Sequence, residues 1–397
     1  MPEAAVENSQ RIRDWLDSGI TALTGHPEGP PLVPPGSAAS AARRHTDRLA
    51  AITDGRVRLD GARLLSERAA FTGSRRGGTI SAGRHCRLLP TADGWAAVSC
   101  ARPDDPVLLG ALVCADIGDD PWPAVTDWLR THTGAELAEG AELLGLAAGP
   151  IDTVTTGVPE PFGVRPVAGL RVVDFSALWA GPLCAHLLGL AGARVIKVET
   201  PVRPDGARRG DPEFYRLLHG GHESVVLDPG DDKQRRALHD LVESADIVIE
   251  ASRPRALAGF GLDAAEFVES GGTWVSITAH GRASNRIGFG DDIAATAGLV
   301  ARFGGNTPLF VGDAIADPLT GLTAAVLAMS APAGGSGHLW DISMSAVVAA
   351  TLDSGSTAVP VDGSAVLAPQ RREPSGVAPE SGRDTTAVLA ELGVRPG

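Results

Sequence analysis

Two aspartates stand out in the segment FVGDAIADPLTGL, residues 310–322, because small apolar residues surround them. Asp313 and Asp317 are four residues apart, and Pro318 follows the second at the start of a predicted helix over 318–331. A carboxylate at this place is either the N-cap of that helix or a reactive group near helix-end amides. The proline favours the cap. These thirteen residues alone leave both roles open.

The region after residue 169 contains the elements that would position such a group. Short apolar runs typical of buried strands alternate there with helical segments such as 182–192 and 231–245. The predicted strands are 170–175, 193–199, 224–228, 246–252 and 273–281. This alternation indicates right-handed βαβ units and a parallel sheet. Ligands of such sheets bind beyond the carboxyl ends of the strands, so we expect chemistry in the turns that follow them.

Residues 1–160 show a weaker pattern, which we interpret as a separate N-terminal α/β domain. Within it, 94–100 resembles a strand and 120–149 is predicted to be helical. The proline-rich stretch 156–166 is the best linker candidate.

Composition and charge exclude several classes of protein. The 397 residues carry a formal net charge of −13, which argues against a general nucleic-acid binder because phosphate contacts need basic surface. The four cysteines lack CxxC spacing and no metal-ligand pattern is visible, so we expect no metal and reduced thiols. Without a signal-peptide pattern or a membrane-length apolar run, we expect a cytoplasmic protein that does not enter the membrane.

A nicotinamide-binding domain is the first alternative that the strand–helix–strand pattern suggests. Glu199 ends the second strand where an acidic residue would hold a ribose. The preceding turn, SALWAGP, has one glycine and a proline instead of G-x-G-x-x-G. Without the second glycine the backbone cannot approach a pyrophosphate in the usual way, so we reject this alternative.

The stretch LRVVDFSALWAGPLCAHLLGLAGARVIKVETP, residues 170–201, resembles the family III CoA-transferases. This CaiB/BaiF family includes formyl-CoA transferase, carnitine CoA-transferase and α-methylacyl-CoA racemase. Its pattern V-x-D-x-x-x-x-x-A-G-P, a helix, then G-A-x-V-I-K-V-E is complete here. The segments ESVVLD, ADIVIEASRPRALAGFGL, VSITAHG and VGDAIADPLTGL follow in the family's order, and GRDTTAVLAELG resembles its C-terminal segment.

The resemblance implies an α/β fold with a Rossmann-like parallel-sheet domain that binds coenzyme A, and a second, smaller α/β domain. It assigns 168–345 to the Rossmann-like domain and 346–397 to a C-terminal segment that returns to it. Family members form interlocked dimers, so we expect a homodimer. The implied activity is CoA transfer from an acyl-CoA to a carboxylic acid acceptor, with coenzyme A as part of the substrate.

The resemblance also assigns roles to individual residues. Asp317 takes the position of the family's nucleophile, which forms an acyl anhydride and then an aspartyl-CoA thioester. Arg203, Arg208 and Arg209 form a local basic cluster that suits the phosphates of CoA. The predicted CoA-binding residues are Leu178, Trp179, Thr200, Arg203, Arg208, Ala251, Ser252 and Arg253.

Departures from the family pattern leave two alternatives open. The racemases use a histidine in a G-H-D segment, but GFGDDIAA here has none. A racemase-like isomerase would therefore need Asp317 together with His280 or Asp292 as the acid or base. Alternatively, the altered contact positions, such as Ala251 and Ser252 in place of Asn-Phe, suggest a protein that binds CoA without turnover.

Overall fold

The fold is mixed α/β, as a computed structural model shows, and it is built around a six-stranded parallel sheet. The structure describes residues 2–118, 120–151, 157–252, 254–332, 334–353 and 357–393. None of the helices in these ranges combines the length and the apolar character needed to cross a membrane.

Helices and strands are numbered separately along the described chain. The helices are α1 (Pro2–Asp17), α2 (Ala38–Ile52), α3 (Gly61–Leu64), α4 (Glu67–Thr72), α5 (Asp105–Val113), α6 (Trp122–Leu129), α7 (Gly134–Leu144), α8 (Ala180–Leu190), α9 (Pro212–His219), α10 (Asp232–Glu243), α11 (Pro254–Ala258), α12 (Ala264–Glu269), α13 (Gly290–Thr296), α14 (Ala316–Ala328), α15 (Met344–Ala349) and α16 (Thr385–Glu391). The strands are β1 (Leu32–Val33), β2 (Cys86–Pro90), β3 (Trp95–Ser99), β4 (Ala148–Pro150), β5 (Gly163–Val164), β6 (Arg171–Asp174), β7 (Arg194–Glu199), β8 (Glu223–Val226), β9 (Ile247–Glu250), β10 (Thr273–Thr278), β11 (Val300–Arg302), β12 (Pro308–Phe310), β13 (Ser330–Ala331), β14 (His338–Ser343) and β15 (Val359–Pro360).

The main sheet has the strand order β14-β10-β9-β6-β7-β8, with every neighbouring pair parallel. In chain order this is the arrangement 6-5-4-1-2-3 of doubly wound nucleotide-binding sheets. The strand order reverses between β6 and β9, so a crevice is expected beyond the carboxyl ends of these two strands. The five strands predicted from the sequence are present, each within a few residues of its predicted limits.

A smaller antiparallel sheet, β2-β3-β4, lies before the main sheet in the chain. Helices α5, α6 and α7 cover it with their own apolar cluster, which includes Leu109, Val125 and Leu137. The segment predicted to be helical over 120–149 is therefore two helices and a strand. The break comes at Thr133, whose hydroxyl caps α7 as part of a capping box.

The hydrophobic core does not divide at residue 160, where a domain boundary was predicted. Trp15 of α1 and Leu49 of α2 belong to the same buried cluster as Leu183 of α8 and Leu322 of α14. Helix α2 packs directly against α14. Residues near the N-terminus thus help to fix the position of the helix that carries Asp317.

Helix α16, in the C-terminal segment, packs beside the edge strand β8. Its Val388 and Leu389 join the apolar cluster of the main sheet. The Asp384 carboxylate accepts a hydrogen bond of 2.8 Å from the Ser224 amide. The segment therefore covers an otherwise open sheet edge.

Candidate active site

A cavity of about 150 Å³ lies at the crevice that the strand order predicts. Its lining comes from the turns after β6, β9 and β10 and from the first turn of α14. A larger groove of about 1410 Å³ borders α10, but mainly charged surface side chains line it and none of the predicted site residues does. Among the predicted site residues, Leu178, Ala251, Ser252 and Asp317 line the smaller cavity together.

Asp317 lines this cavity, although the segment that contains it is otherwise buried. Every residue from Pro308 to Ser330 is buried except Asp317, and the structure describes this whole range. Helix α14 begins at Ala316 after the N-cap residue Ile315, and no side chain caps it. The alternative that Asp317 is the N-cap of a helix over 318–331 therefore does not hold, because the residue lies inside the first turn.

Two glycines allow other groups to come close to the Asp317 carboxylate. A Cβ on Gly290, the first residue of α13, would collide with Oδ2 of Asp317. Gly321 lies one turn after Asp317 on the same helix face, and a Cβ there would lie 2.6 Å from the Ala180 carbonyl oxygen. This close approach brings Asp317 to the N-terminus of α8, where the Ala180 amide donates a hydrogen bond to its carboxylate.

The environment of Asp317 raises its pKa to about 7. Burial is the largest cause, the Arg68 guanidinium opposes it, and the charges of Asp291 and Asp313 add to the rise. Burial and the Asp313 charge likewise raise the pKa of Asp291 to about 6, against the effect of Arg68. At neutral pH, Asp317 is therefore divided between carboxylate and carboxylic acid.

Arg68 of α4 is the cation of this acidic cluster. It binds the fully buried Asp313 through two nitrogens, at 2.5 Å from Nη2 to Oδ1 and 3.0 Å from Nε to Oδ2. Although burial opposes the change, the charge and hydrogen bonds of Asp313 raise the pKa of Arg68. Asp313 is thus occupied by a buried ion pair and Asp317 is not, which separates the two aspartates of the segment.

Trp179 lies behind this cluster rather than in the cavity. It is 2 % exposed, with the Arg68 guanidinium 5.1 Å from its ring centroid. The ring of Phe214 meets it in a T-shaped contact, with 5.4 Å between the two ring centroids. Contact between adenine and this ring would require Arg68 or Phe214 to move. In this structure Trp179 supports Arg68.

The two candidate acid–base residues of the isomerase alternative have other partners. The Asp292 carboxylate accepts hydrogen bonds from the Ser99 hydroxyl at 2.7 Å and the Phe289 amide at 3.0 Å. Burial raises the pKa of Asp292 to about 8 in spite of these bonds. Nδ1 of His280 lies 3.1 Å from the Ser345 hydroxyl, and burial, followed by the Arg286 charge, lowers its pKa to about 4.

Several predicted CoA-binding positions have features that suit a ligand. The hydroxyls of Ser252 and Thr200 are buried and have no hydrogen-bond partner among the described residues. Leu178 is 44 % exposed and has φ of 68°, a left-handed conformation that is costly for a side chain with a Cβ. Its amide donates a hydrogen bond of 3.0 Å to Asp205, which holds this turn against the sheet.

The basic cluster is less available for phosphate than predicted. Arg208 binds Glu199 with Nε at 3.0 Å from both carboxylate oxygens, and NH2 lies 2.5 Å from Oε2. Arg203 is exposed, and Arg253 lies outside the described residues. A CoA phosphate would have to compete with Glu199 for Arg208, whereas Arg203 is open to solvent.

Three residues at the site were not predicted: Arg68, Asp291 and Arg286. Asp291 stands in GFGDD beside Asp292, so the paired acids were a usable signal. Arg68 has no such signal, because it is separated from Asp313 by 245 positions. Among the described residues, no group of histidine, cysteine, aspartate and glutamate side chains could hold a metal ion.

The fold and the site define a class: a doubly wound α/β protein with a carboxylate-centred cavity at the switch point of its sheet. The sequence model of CoA-transferase family III matches residues 167–381, more than half of the chain, and the chain belongs to this family.

Several relatives carry specific names. The chain is 32 % identical over 173 residues to the succinyl-CoA–L-malate CoA-transferase beta subunit of Chloroflexus aurantiacus, covering 40 % of this chain and 42 % of that protein. It is 29 % identical over 185 residues to human succinyl-CoA:glutarate CoA-transferase, covering 43 % and 42 %. A crystal structure of a CaiB/BaiF family protein from Brucella suis has 27 % identity and a TM-score of 0.43, covering 47 % of this chain and 55 % of that one. The chain spans about half the length of the curated relatives that it matches.

Proposed function

We propose that this protein transfers coenzyme A from an acyl-CoA to a carboxylic acid, with Asp317 as the nucleophile. The observation that carries the proposal is that Asp317 is more exposed than every other residue of its segment. In a buried stretch from Pro308 to Ser330 it alone reaches the cavity, and it does so at the N-terminus of α8. The curated relatives named above are CoA-transferases, which agrees with this chemistry.

In the first half-reaction, an oxygen of Asp317 attacks the thioester carbonyl carbon. A C–O bond forms, the C–S bond breaks, and CoA leaves as a thiolate from a mixed anhydride. The thiolate then attacks Cγ of Asp317 and releases the original acyl group as a free carboxylate. An aspartyl-CoA thioester remains.

The second half-reaction repeats these steps in reverse with the acceptor. Its carboxylate attacks Cγ of the thioester, the thiolate leaves, and a new mixed anhydride forms. Attack of the thiolate on the acceptor carbonyl gives the new acyl-CoA and restores Asp317. Each tetrahedral oxyanion would form near the first turn of α8, whose Ala180 amide and helix dipole favour negative charge.

The proposed CoA site uses positions on the cavity wall and outside it. The hydroxyl of Ser252, on the wall, and that of Thr200, outside the cavity, have no partner among the described residues and would bind the CoA moiety, together with the backbone of Leu178 and Ala251. Arg203 would contact a phosphate, and Arg208 would do so only if it exchanged Glu199 for that partner. Trp179 would act behind the site, by supporting Arg68.

The test is an exchange assay that also traps the intermediates. The full chain is incubated with an acyl-CoA and an isotopically labelled carboxylic acid, and new acyl-CoA is detected by mass spectrometry. Hydroxylamine should convert the enzyme-bound intermediate into a hydroxamate at Asp317, within the tryptic peptide 303–371. Exchange without modification of this peptide would refute the aspartyl mechanism.

The same assay distinguishes the alternatives. An isomerase would exchange the α-proton of an acyl-CoA with deuterium from solvent and would transfer no CoA. A protein without turnover would bind CoA and show neither reaction. The present geometry favours transfer, because hydrogen bonds occupy both Asp292 and His280.

We also propose that the working form is a homodimer, an inference that rests on the family resemblance. Light scattering at micromolar concentration tests it, and a monomeric mass would refute it. The predicted cytoplasmic location stays a prediction.

A further inference from the structure

Arg286 is a second charged side chain on the wall of the cavity that contains Asp317. It lies on the segment between β10 and α13 and is half-buried. Its backbone amide donates a hydrogen bond of 3.2 Å to the Ser284 hydroxyl, which fixes the local turn. The role of Arg286 rests on the proposed function, in which the cavity takes the acyl group of the substrate.

The guanidinium of Arg286 has no acidic partner among the residues that the structure describes. Within the described part of the chain, this guanidinium makes no ion pair and no side-chain hydrogen bond. The other inward-facing arginines of the site do have acidic partners: Arg68 binds Asp313, Arg208 binds Glu199 and Arg282 binds Glu250. Its tip lies over Gly149 of β4, where a Cβ would come within 2.6 Å of Nη2 of Arg286. Gly149 thus makes room for a cation that no acidic side chain of the described residues neutralises.

The rest of the wall is small or apolar. It includes Ile277, Ala279, Phe289 and Met344, with the hydroxyl of Thr278. A cavity of about 150 Å³ holds a ligand roughly the size of benzene, on the order of six non-hydrogen atoms. A short carbon chain suits these walls, and an anionic end suits the free guanidinium.

We infer that Arg286 is a specificity-determining residue that binds the distal carboxylate of a short dicarboxylic acyl group. The reacting carbonyl of that group faces Asp317, its methylenes lie against the apolar wall, and its far carboxylate pairs with the Arg286 fork. Because donor and acceptor acyl groups react at the same aspartate, both are short dicarboxylates. Monocarboxylic acyl groups of equal length leave the half-buried guanidinium unpaired and bind less well.

The test compares succinyl-CoA with butyryl-CoA, which have the same number of carbons and differ in the distal carboxylate. Their dissociation constants are measured by calorimetry on the full chain in an Asp317→Asn background, so that binding is read without acyl transfer. Exchange rates for both substrates are measured with Asp317 intact. Each measurement is made with Arg286, with Arg286→Gln and with Arg286→Lys. Arg236→Gln is the control, since it removes the same charge from the exposed face of α10.

With Arg286 intact, we expect succinyl-CoA to bind more tightly than butyryl-CoA. Arg286→Gln should reduce this preference by about 10- to 100-fold, the range for loss of a charge-assisted hydrogen-bonded pair. Arg286→Lys should retain part of it, and it decides the question if the glutamine variant does not fold. Arg236→Gln should leave the preference intact.

An unchanged preference in Arg286→Gln, or equal weakening of both substrates, would overturn the inference. Failure of the proposed function has a different signature. In that case no acyl-CoA is exchanged by the chain with Asp317 and Arg286 intact, and the binding preference still decides the role of Arg286.

Discussion

Replacing Asp317 with asparagine removes one carboxylate from the site and keeps the shape of the side chain. The amide oxygen can still accept the hydrogen bond from the Ala180 amide. As the proposed nucleophile is lost, we expect CoA exchange to disappear. The effect on stability is less obvious, and its sign follows from the raised pKa of Asp317.

Burial raises the pKa of Asp317 from its ordinary 3.8 to about 7. Between these two pH values the native protein keeps a proton that the unfolded chain has lost, so folding stability falls as pH rises. At about 1.4 kcal/mol for each pKa unit, ionisation in the native site costs roughly 4 kcal/mol above pH 7. Asparagine never ionises and avoids this cost.

Asp317→Asn should therefore be more stable than the natural protein at pH 8 by up to roughly 4 kcal/mol. The difference in stability should shrink by roughly 3 kcal/mol at pH 5, because the Asp317 carboxyl of the folded natural protein is then mostly protonated and no longer carries the cost of a buried charge. Denaturant titration at the two pH values measures it. Asp313→Asn is the contrast, since it breaks the ion pair between the buried Asp313 and the partly exposed Arg68 and should lose about 1.5–3 kcal/mol.

Two results would refute this reasoning. If Asp317→Asn keeps exchange at the natural rate, Asp317 is not the nucleophile. If the variant is less stable than the natural protein at both pH values, the carboxylate supports the fold, and its raised pKa does not describe the native site.

Four further outcomes are expected from the same geometry. The rate of exchange at limiting substrate should rise with pH up to about 7 as Asp317 ionises and then level off, and a flat profile from pH 5 to 8 would contradict this. Gly290→Ala adds a Cβ against Asp317, so exchange assays should show a loss of at least about 100-fold while calorimetry still detects CoA binding. Gly149→Ala should displace the tip of Arg286 and reduce the preference for succinyl-CoA over butyryl-CoA with little change in melting temperature. Ser252→Ala should weaken CoA binding by about 10-fold without destabilising the fold, because the hydroxyl it removes has no protein partner, and equal CoA affinity would argue against this contact.

Much of the parallel sheet was visible in the sequence. The apolar runs at 170–175 and 193–199 and their successors became the strands β6 to β10, since short apolar runs separated by helical segments encode buried parallel strands locally. The ordered motifs predicted the family, and the family model confirms it. Asp317 was selected by its motif and not by its chemistry, because the local sequence suited a helix cap equally well.

The start of α14 and the break in the segment 120–149 depended on tertiary contacts. Gly321 allows α14 to pack closely on α8. Helix α14 begins two residues before Pro318, so Asp317 lies in its first turn. In the segment 120–149, residues 148–150 pair with β3, and this pairing overrides the local helical preference.

Only the tertiary structure decided which charges surround Asp317. Arg68 comes from the N-terminal part of the chain, Asp313 lies in the turn before α14, and Asp291 lies in the first turn of α13. Arg286 reaches the cavity over Gly149. The periodicity of a sequence indicates on which face of a helix or strand a residue lies. It does not indicate which distant residue contacts it. A pKa depends on burial and on the charged groups nearby. The sequence therefore determined that a carboxyl group stands at position 317, and the packing of distant segments determined its protonation state.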